Sequence, residues 1–270
     1  MIQFDPSRCI GCGQCAWDCF PGAITIEHKI PTLTASENCI GCGHCIAVCP
    51  VGAVSDPALP SDDIQPTTKE RNPEALLSAM RSRRSCRHYT EAPVTQQELS
   101  MLLQAARACP TAKNLQSTRY ISVTKGIPAL LDAALDALGH VGAMQLQTAA
   151  DSGELRRARN FIAWQQQRKE DKGFDPLFFH APQLLMFVSD QGDVRDAAAA
   201  AAYTELMAAQ LGLGCLYSGY FTACCAGSEP IRAMLGLQQN EQVVRCLVLG
   251  HPGIQFRRTA PRKPVSLTEL

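Results

Sequence analysis

Two runs of cysteine carry the first recognisable chemistry in this chain. Cys9, Cys12, Cys15 and Cys19 recur at one constant offset as Cys39, Cys42, Cys45 and Cys49, which makes the N-terminal stretch an internal duplication. Thiolate is a soft ligand suited to zinc or to iron–sulfur clusters, so the spacing has to choose between them. Zinc sites pair two C-x2-C knuckles across a longer loop. Here three cysteines share one tight loop and the fourth follows three residues later, a C-x2-C-x2-C-x3-C run. Gly11, Gly13, Gly41 and Gly43 suit a loop that needs positive φ and a close approach of backbone N–H groups to sulfur. Ile10, Ile24, Ile40 and Val54 can wall such a centre from water. Eight structural or zinc cysteines fit this spacing less well.

The same run is the cluster-binding pattern of bacterial two-[4Fe-4S] ferredoxins, which the chain resembles over residues 1–56. The resemblance implies two [4Fe-4S] clusters with exchanged ligands. Cys9, Cys12, Cys15 and Cys49 would hold one cluster, and Cys39, Cys42, Cys45 and Cys19 the other. Phe20 stands where the second run has Pro50, a change that should alter packing and not ligation.

A second constellation is "RSRRSCRHYTEAPV", where Arg83, Arg84 and Arg87 surround Ser85. Guanidinium forks beside a hydroxyl suit a phosphate dianion. From this stretch alone, a solvated basic helix end reads equally well. Two more stretches, "CPTAKNLQSTRYISV" and "VLGHPGIQFRRTAPRKPV", follow in the order and spacing of nitroreductase-like flavoproteins, which the chain resembles over residues 73–270. The whole is similar to a ferredoxin–nitroreductase fusion.

That resemblance implies non-covalent FMN at the interface of an interlocked homodimer. Arg83, Arg84 and Ser85 would hold the phosphate and flank the ring, with Arg87 nearby. Thr111, Lys113 and Asn114 would line the ring edge and ribityl chain. Leu216, Tyr217, Ser218 and Gly219 in "GLGCLYSGYF" match a loop covering the ring, and Arg262 with Lys263 would close on the phosphate. Thr118 stands where many members have Trp. Residues 140–180, with Trp164, Phe174, Phe178 and Phe179, would form a lid that selects substrate. The implied enzyme is an FMN-dependent oxidoreductase that passes electrons from a low-potential donor, such as an external ferredoxin, through the clusters to FMN. A nitroaromatic, quinone or activated alkene would receive them. Two alternatives stand beside it: an NAD(P)H-dependent FMN reductase exporting electrons through the clusters, and a non-catalytic redox carrier or sensor.

These residues need elements to position them. The chain has 270 residues, with 25 basic and 25 acidic side chains, so no net charge favours nucleic acid. Residues 1–60 hold five acids against two bases, leaving a mildly acidic head on a mildly basic body. Fourteen cysteines without a secretory leader point to redox use in a reducing cytoplasm. Residues 57–72, with Pro57, Pro60 and Pro66, read as a linker. Asn72 and Pro73 open a helix, and Thr95 with Glu98 cap another whose apolar face is Leu99, Leu102, Leu103 and Ala106. Further helices are expected near 128–138, 154–170 and 194–211. The last reads as buried, not membrane-spanning, because Glu205 and Gln210 interrupt it. The 154–170 helix reads as a solvated lid or dimer surface, from which Trp164 or Arg168 could meet substrate.

Strands are expected at 119–124, 183–189 and 243–250, and "AITIEHKIPTLT" suggests a hairpin. Helices outweigh strands and no G-x-G-x-x-G follows a strand, so the body reads as α+β without a separate Rossmann unit. Cys86, Cys109, Cys215 and Cys246 read as small buried hydrophobes. Cys224 and Cys225 read as free thiols, and His180 and His251 as turn residues.

Overall fold

A computed structural model of the chain describes residues 1–59, 64–190 and 194–270. Part of the expected linker, including Pro60, lies outside the described residues; Ile64–Arg71 is exposed and forms no helix or strand. The chain divides into two compact units, one of Met1–Arg71 with Pro110–Gln116 and one of Asn72–Cys109 with Ser117–Leu270.

In the first unit β1 (Gln3–Phe4) pairs antiparallel with β4 (Val54–Ser55), joining the two ends of the duplication. The expected hairpin is β2 (Ile24–Glu27) against β3 (Ile30–Leu33). His28 and Lys29 both have positive φ (50° and 67°) in its two-residue turn, the twist that a tight hairpin demands. Two single-turn helices, α1 (Gln14–Trp17) and α2 (His44–Ala47), start at Gly13 and Gly43, whose φ of 75° and 76° glycine adopts without strain. The core is small: Ile2, Cys15, Ile24, Cys45 and Val54, with Phe4, Leu33 and Ile46 against them. A unit of this size rarely holds together on apolar burial alone and needs a metal or cross-link.

The second unit is built on a four-stranded antiparallel sheet in the order β5 (Arg119–Val123), β6 (Gln183–Ser189), β8 (Gln242–Gly250), β7 (Gly214–Tyr217). All seven residues of β6 are buried. Leu184, Met186 and Val188 face a core shared with α5 (Ile127–Thr148), α8 (Gly219–Gly227) and α9 (Glu229–Met234). Leu185 and Phe187 face the opposite core, shared with α4 (Gln96–Arg107) and α7 (Val194–Gln210). Period-two alternation thus feeds two helical layers, an α+β sandwich.

Local signals set the helix ends. Asn72 Oδ1 accepts from Ala75 N at 2.9 Å to start α3 (Pro73–Ser82). Thr95 and Glu98 complete a reciprocal capping box on α4. Asp151 accepts from Gly153 N and Glu154 N to open α6 (Ser152–Glu170). One helix is much longer than expected. α5 continues past 138 to Thr148, and Gly139 and Gly142 in that continuation seat α6. A Cβ on Gly142 would lie 2.6 Å from Ala158 O, so the close helix contact requires glycine there. Among the described residues α5 alone is long and apolar enough to cross a membrane by length and composition. Its buried stripe of Leu130, Leu131, Ala134, Leu135 and Leu138 packs in the protein core.

Candidate functional site

The first unit contains two cavities, each lined by cysteines of both runs. One is bordered by Cys9, Cys12, Cys15 and Cys49, with Ile10 and Val54 in its wall. The other is bordered by Cys39, Cys42, Cys45 and Cys19, with Ile24 and Ile40. Gly11, Gly13, Gly41 and Gly43 all have positive φ, between 64° and 76°, which curls each loop around its cavity. Backbone amides reach sulfur: Gly11 N donates to Cys9 Sγ at 3.4 Å, Ala23 N to Cys19 Sγ at 3.3 Å and Ala53 N to Cys49 Sγ at 3.2 Å. The last two bonds are equivalent across the duplication. Among the described residues no three His, Cys, Asp or Glu side chains are placed to hold a single metal ion. Each set of thiols surrounds a space, which suits a polynuclear cluster better than a tetrahedral zinc ion. Burial pushes the Cys45 thiol up to about 11, so bound iron would have to hold it as thiolate.

The second site gathers along the β7 edge. After α3 ends, the chain from Arg83 runs extended. Ser85 bridges Cys215 in parallel, and Cys86 N donates to Cys215 O at 2.9 Å. This brings Arg83, Arg84 and Ser85 beside Leu216, Tyr217 and Ser218. The covering loop expected at 216–219 is instead the end of a strand and the start of a helix. Cys215 and Leu216 are buried against β8, Ser218 N donates to Cys246 O at 3.0 Å, and Gly219 opens α8. Short strands flanked by glycine carry too little periodicity to be read from sequence.

Arg83 Nη1 donates to Glu205 Oε1 at 2.7 Å. Burial pushes the Glu205 carboxyl up, and the Arg83 charge pulls it back. The guanidinium carbon of Arg87 lies 6.0 Å from the Phe179 ring centroid, a cation–π contact. Ser218 Oγ donates to Leu177 O at 3.4 Å. The turn at 174–180 therefore meets this site. Asp175 ties it together by accepting from Leu177 N, Phe178 N and His180 N, leaving Phe179 and His180 at positive φ.

Other expected residues lie elsewhere. Thr111, Lys113 and Asn114 sit in a single 3-10 turn of the segment that groups with the first unit, with Lys113 and Asn114 both at φ 55°. Arg262 and Lys263 are exposed in a tail without regular structure and make no ion pair among the described residues. The lid reading of 140–180 needs correction at Arg168, at Phe178 and along the helix 152–170. Arg168 is buried, with Nε donating to Asp132 Oδ1 at 2.7 Å and Nη1 donating to the carbonyls of Phe174 and Lys172. Phe178 is fully buried against Phe221, with ring centroids 5.0 Å apart. Residues 152–170 pack on α5 through Ala158 and Phe161. A polar-looking helix with a narrow apolar stripe hid that packing. Trp164 is half-buried beside Phe161 and Tyr220. The cysteines outside the two runs, Cys86, Cys109, Cys215, Cys224, Cys225 and Cys246, are all buried and free. Burial pushes the Cys215 thiol up to about 12, which leaves it protonated.

Fold and sites together describe an oxidoreductase with two redox modules. The "Nitroreductase family" model matches residues 80–251, and a "4Fe-4S dicluster domain" model matches residues 3–55. The chain belongs to the nitroreductase family. Solved structures share its fold at low identity. A nitroreductase with bound FMN from Bacteroides fragilis aligns at TM-score 0.55 and 18% identity, over 72% of this chain and 98% of that one. An FMN-dependent nitroreductase from Clostridium difficile aligns at 0.54 and 16%, over 74% and 100%. A nitroreductase with bound FMN from Desulfitobacterium hafniense aligns at 0.51 and 21%, over 72% and 98%. Among curated proteins none matches.

Proposed function

We propose that this chain passes electrons from a low-potential donor through two [4Fe-4S] clusters to FMN and on to a small organic acceptor. A nitroaromatic, quinone or activated alkene fits that last role. The observation that carries the reading is the crossing of cysteines between two cavities, in a chain whose remainder has the nitroreductase fold. FMN exchanges electrons singly or in pairs, which joins one-electron carriers to two-electron organic reductions.

The residues fit both groups. Eight thiols and the amides behind them suit the clusters. Arg83, Arg84 and Ser85 offer charge and a hydroxyl to phosphate, with Arg262 and Lys263 added from the tail. Arg84, Arg262 and Lys263 have no ionic partner among the described residues, so their charge is available. Leu216, Tyr217, Ser218 and Gly219, with Arg87, would border the ring, and Thr111, Lys113 and Asn114 the ring edge and ribityl chain. The assembly in this reading is a cytoplasmic homodimer, in whose reducing compartment the six cysteines outside the two runs stay free thiols.

Anaerobically prepared protein should hold about eight iron and eight acid-labile sulfide per chain and release FMN on denaturation. Zinc without sulfide would refute the cluster assignment. Arg83→Ala and Arg262→Ala should each remove charge-assisted bonds of about 1.5–3 kcal/mol, weakening FMN roughly tenfold to a hundredfold. Retention of FMN by both variants as in the parent would refute the phosphate assignment.

A further inference from the structure

Glu205 is out of place in its helix. Beyond Asp196 in the first turn, at 8% exposure, the buried residues of α7 are Ala197, Ala200, Ala201, Thr204 and Ala208, all at 0%, and Glu205 joins them at 9%. A carboxylate in such a setting loses hydration that the fold must replace. One partner is present: Oε1 accepts from Arg83 Nη1 at 2.7 Å, and Oε2 accepts nothing among the described residues. Replacing a buried pair of this kind by a packed apolar side chain is often neutral or stabilising. Stability therefore gives a weak reason for a carboxylate here.

The position of Arg83 gives a better one. Its own N–H donates to Ala79 O at 3.2 Å as α3 ends, and two residues later the chain is tied to Cys215 on β7. The backbone is held on both sides, while the long side chain would remain free to sample many rotamers. Glu205 removes that freedom. Only Nη1 of the guanidinium is engaged; of its five N–H donors the rest have no partner among the described residues. The side chain keeps 32% of its surface exposed, so those donors remain reachable.

We propose that Glu205 is the positioning residue of the flavin site, fixing the Arg83 guanidinium before FMN binds and leaving its other N–H groups for the phosphate. This rests on the assignment of Arg83 to the FMN phosphate. It makes a counterintuitive demand: removing a negative charge close to a phosphate site should weaken phosphate binding. A carboxylate that merely repels the phosphate would do the opposite.

The test is FMN titration into flavin-depleted full-length protein, read by fluorescence quenching, with Tm measured on each variant. Glu205→Leu should bind FMN about tenfold more weakly, the scale of one charge-assisted bond lost, at a Tm close to that of the parent, because the Arg83 side chain, 32% exposed, can rehydrate when its partner is removed. Glu205→Gln keeps an oxygen that can accept from Nη1, and should stay within about threefold of the parent. In the Arg83→Ala background, Glu205→Leu should have no further effect on FMN affinity. Tighter binding by Glu205→Leu, additive losses in the double variant, or a fall in Tm that accounts for the loss of FMN would each overturn the proposal. Failure of the parent to bind FMN, or parent-like binding by Arg83→Ala, would count against the flavin-site reading itself. If the parent binds, Arg83→Ala is weakened and Glu205→Leu is not, only the role of Glu205 falls.

Discussion

Cys49 lies in the wall of the cavity bordered by Cys9, Cys12 and Cys15, while Cys19, its equivalent in the first run, borders the other cavity. The duplication is thus interlocked: neither run completes a site by itself. Cys19→Ser should therefore damage the site of Cys39, Cys42 and Cys45 and spare that of its own run. Iron content, with electron paramagnetic resonance of the reduced protein, reads the outcome. Loss confined to the site of Cys9, Cys12 and Cys15 would show that ligation does not cross.

Arg168 tests whether the 152–170 helix is scaffold or lid. Burial pushes the Asp132 carboxyl up, and hydrogen bonds from Arg168 and Lys172 more than reverse this. Arg168 also satisfies two backbone carbonyls at the end of α6. Arg168→Ala should lower stability by about 1–2 kcal/mol, since it removes charge-assisted bonds to part-buried acceptors that water can partly replace. Acceptor KM should stay near the parent value. A variant with parent stability and a strongly raised KM would restore the lid reading.

Arg119 and Glu241 give a pH-dependent term. Two parallel bonds, Nε to Oε1 at 2.7 Å and Nη2 to Oε2 at 2.6 Å, join β5 to the turn before β8. These bonds hold the Glu241 carboxyl below its ordinary 4.5. A depressed carboxyl stabilises the fold above its unfolded value, and that contribution disappears as pH falls through the lower folded value. Arg119 is partly exposed, so about 0.5–1 kcal/mol is expected. Glu241→Gln should lower the urea midpoint at neutral pH, and the difference from the parent should shrink below pH 4.5. A difference that stays constant down to acid pH would contradict the linkage.

Much of this was legible in the sequence because the strongest signals are local. Cysteine spacing with intervening glycines marks a loop curled round a cavity, and the Asn72 and Thr95 caps mark helix starts within a few residues. β6 could be read because Leu184, Leu185, Met186, Phe187 and Val188 form an unbroken apolar run that admits little else. Other features depend on tertiary contact. The extension of α5 beyond 138 through Gly139 and Gly142 is explained only when α6 is seen to rest on them. β7 is too short to show a period, and nothing local to Glu205 points to Arg83, which lies far away in the chain. Arg168 in a polar helix looks solvated until Asp132 and two carbonyls surround it.

The route of electrons calls for a full-length variant without clusters, because the two units are best kept in one chain. Cys12→Ala with Cys42→Ala removes one thiol from each cavity and touches none of the residues proposed for FMN. The doubly substituted chain should still bind FMN, and its chemically reduced flavin should still reduce a nitroaromatic or quinone. Flavin reduction by an external low-potential ferredoxin, followed anaerobically by flavin absorbance, should become much slower than in the parent. That outcome places the clusters on the route, since flavin and acceptor chemistry are intact in the same molecule. Equal rates in the two proteins would show that the donor reaches FMN directly and that the clusters lie beside the route. Rapid reduction of both by NAD(P)H would favour a nicotinamide-dependent reductase whose clusters carry electrons outward. If acceptor consumption stops near one equivalent of protein under any donor, the chain is a carrier or sensor and not an enzyme of turnover.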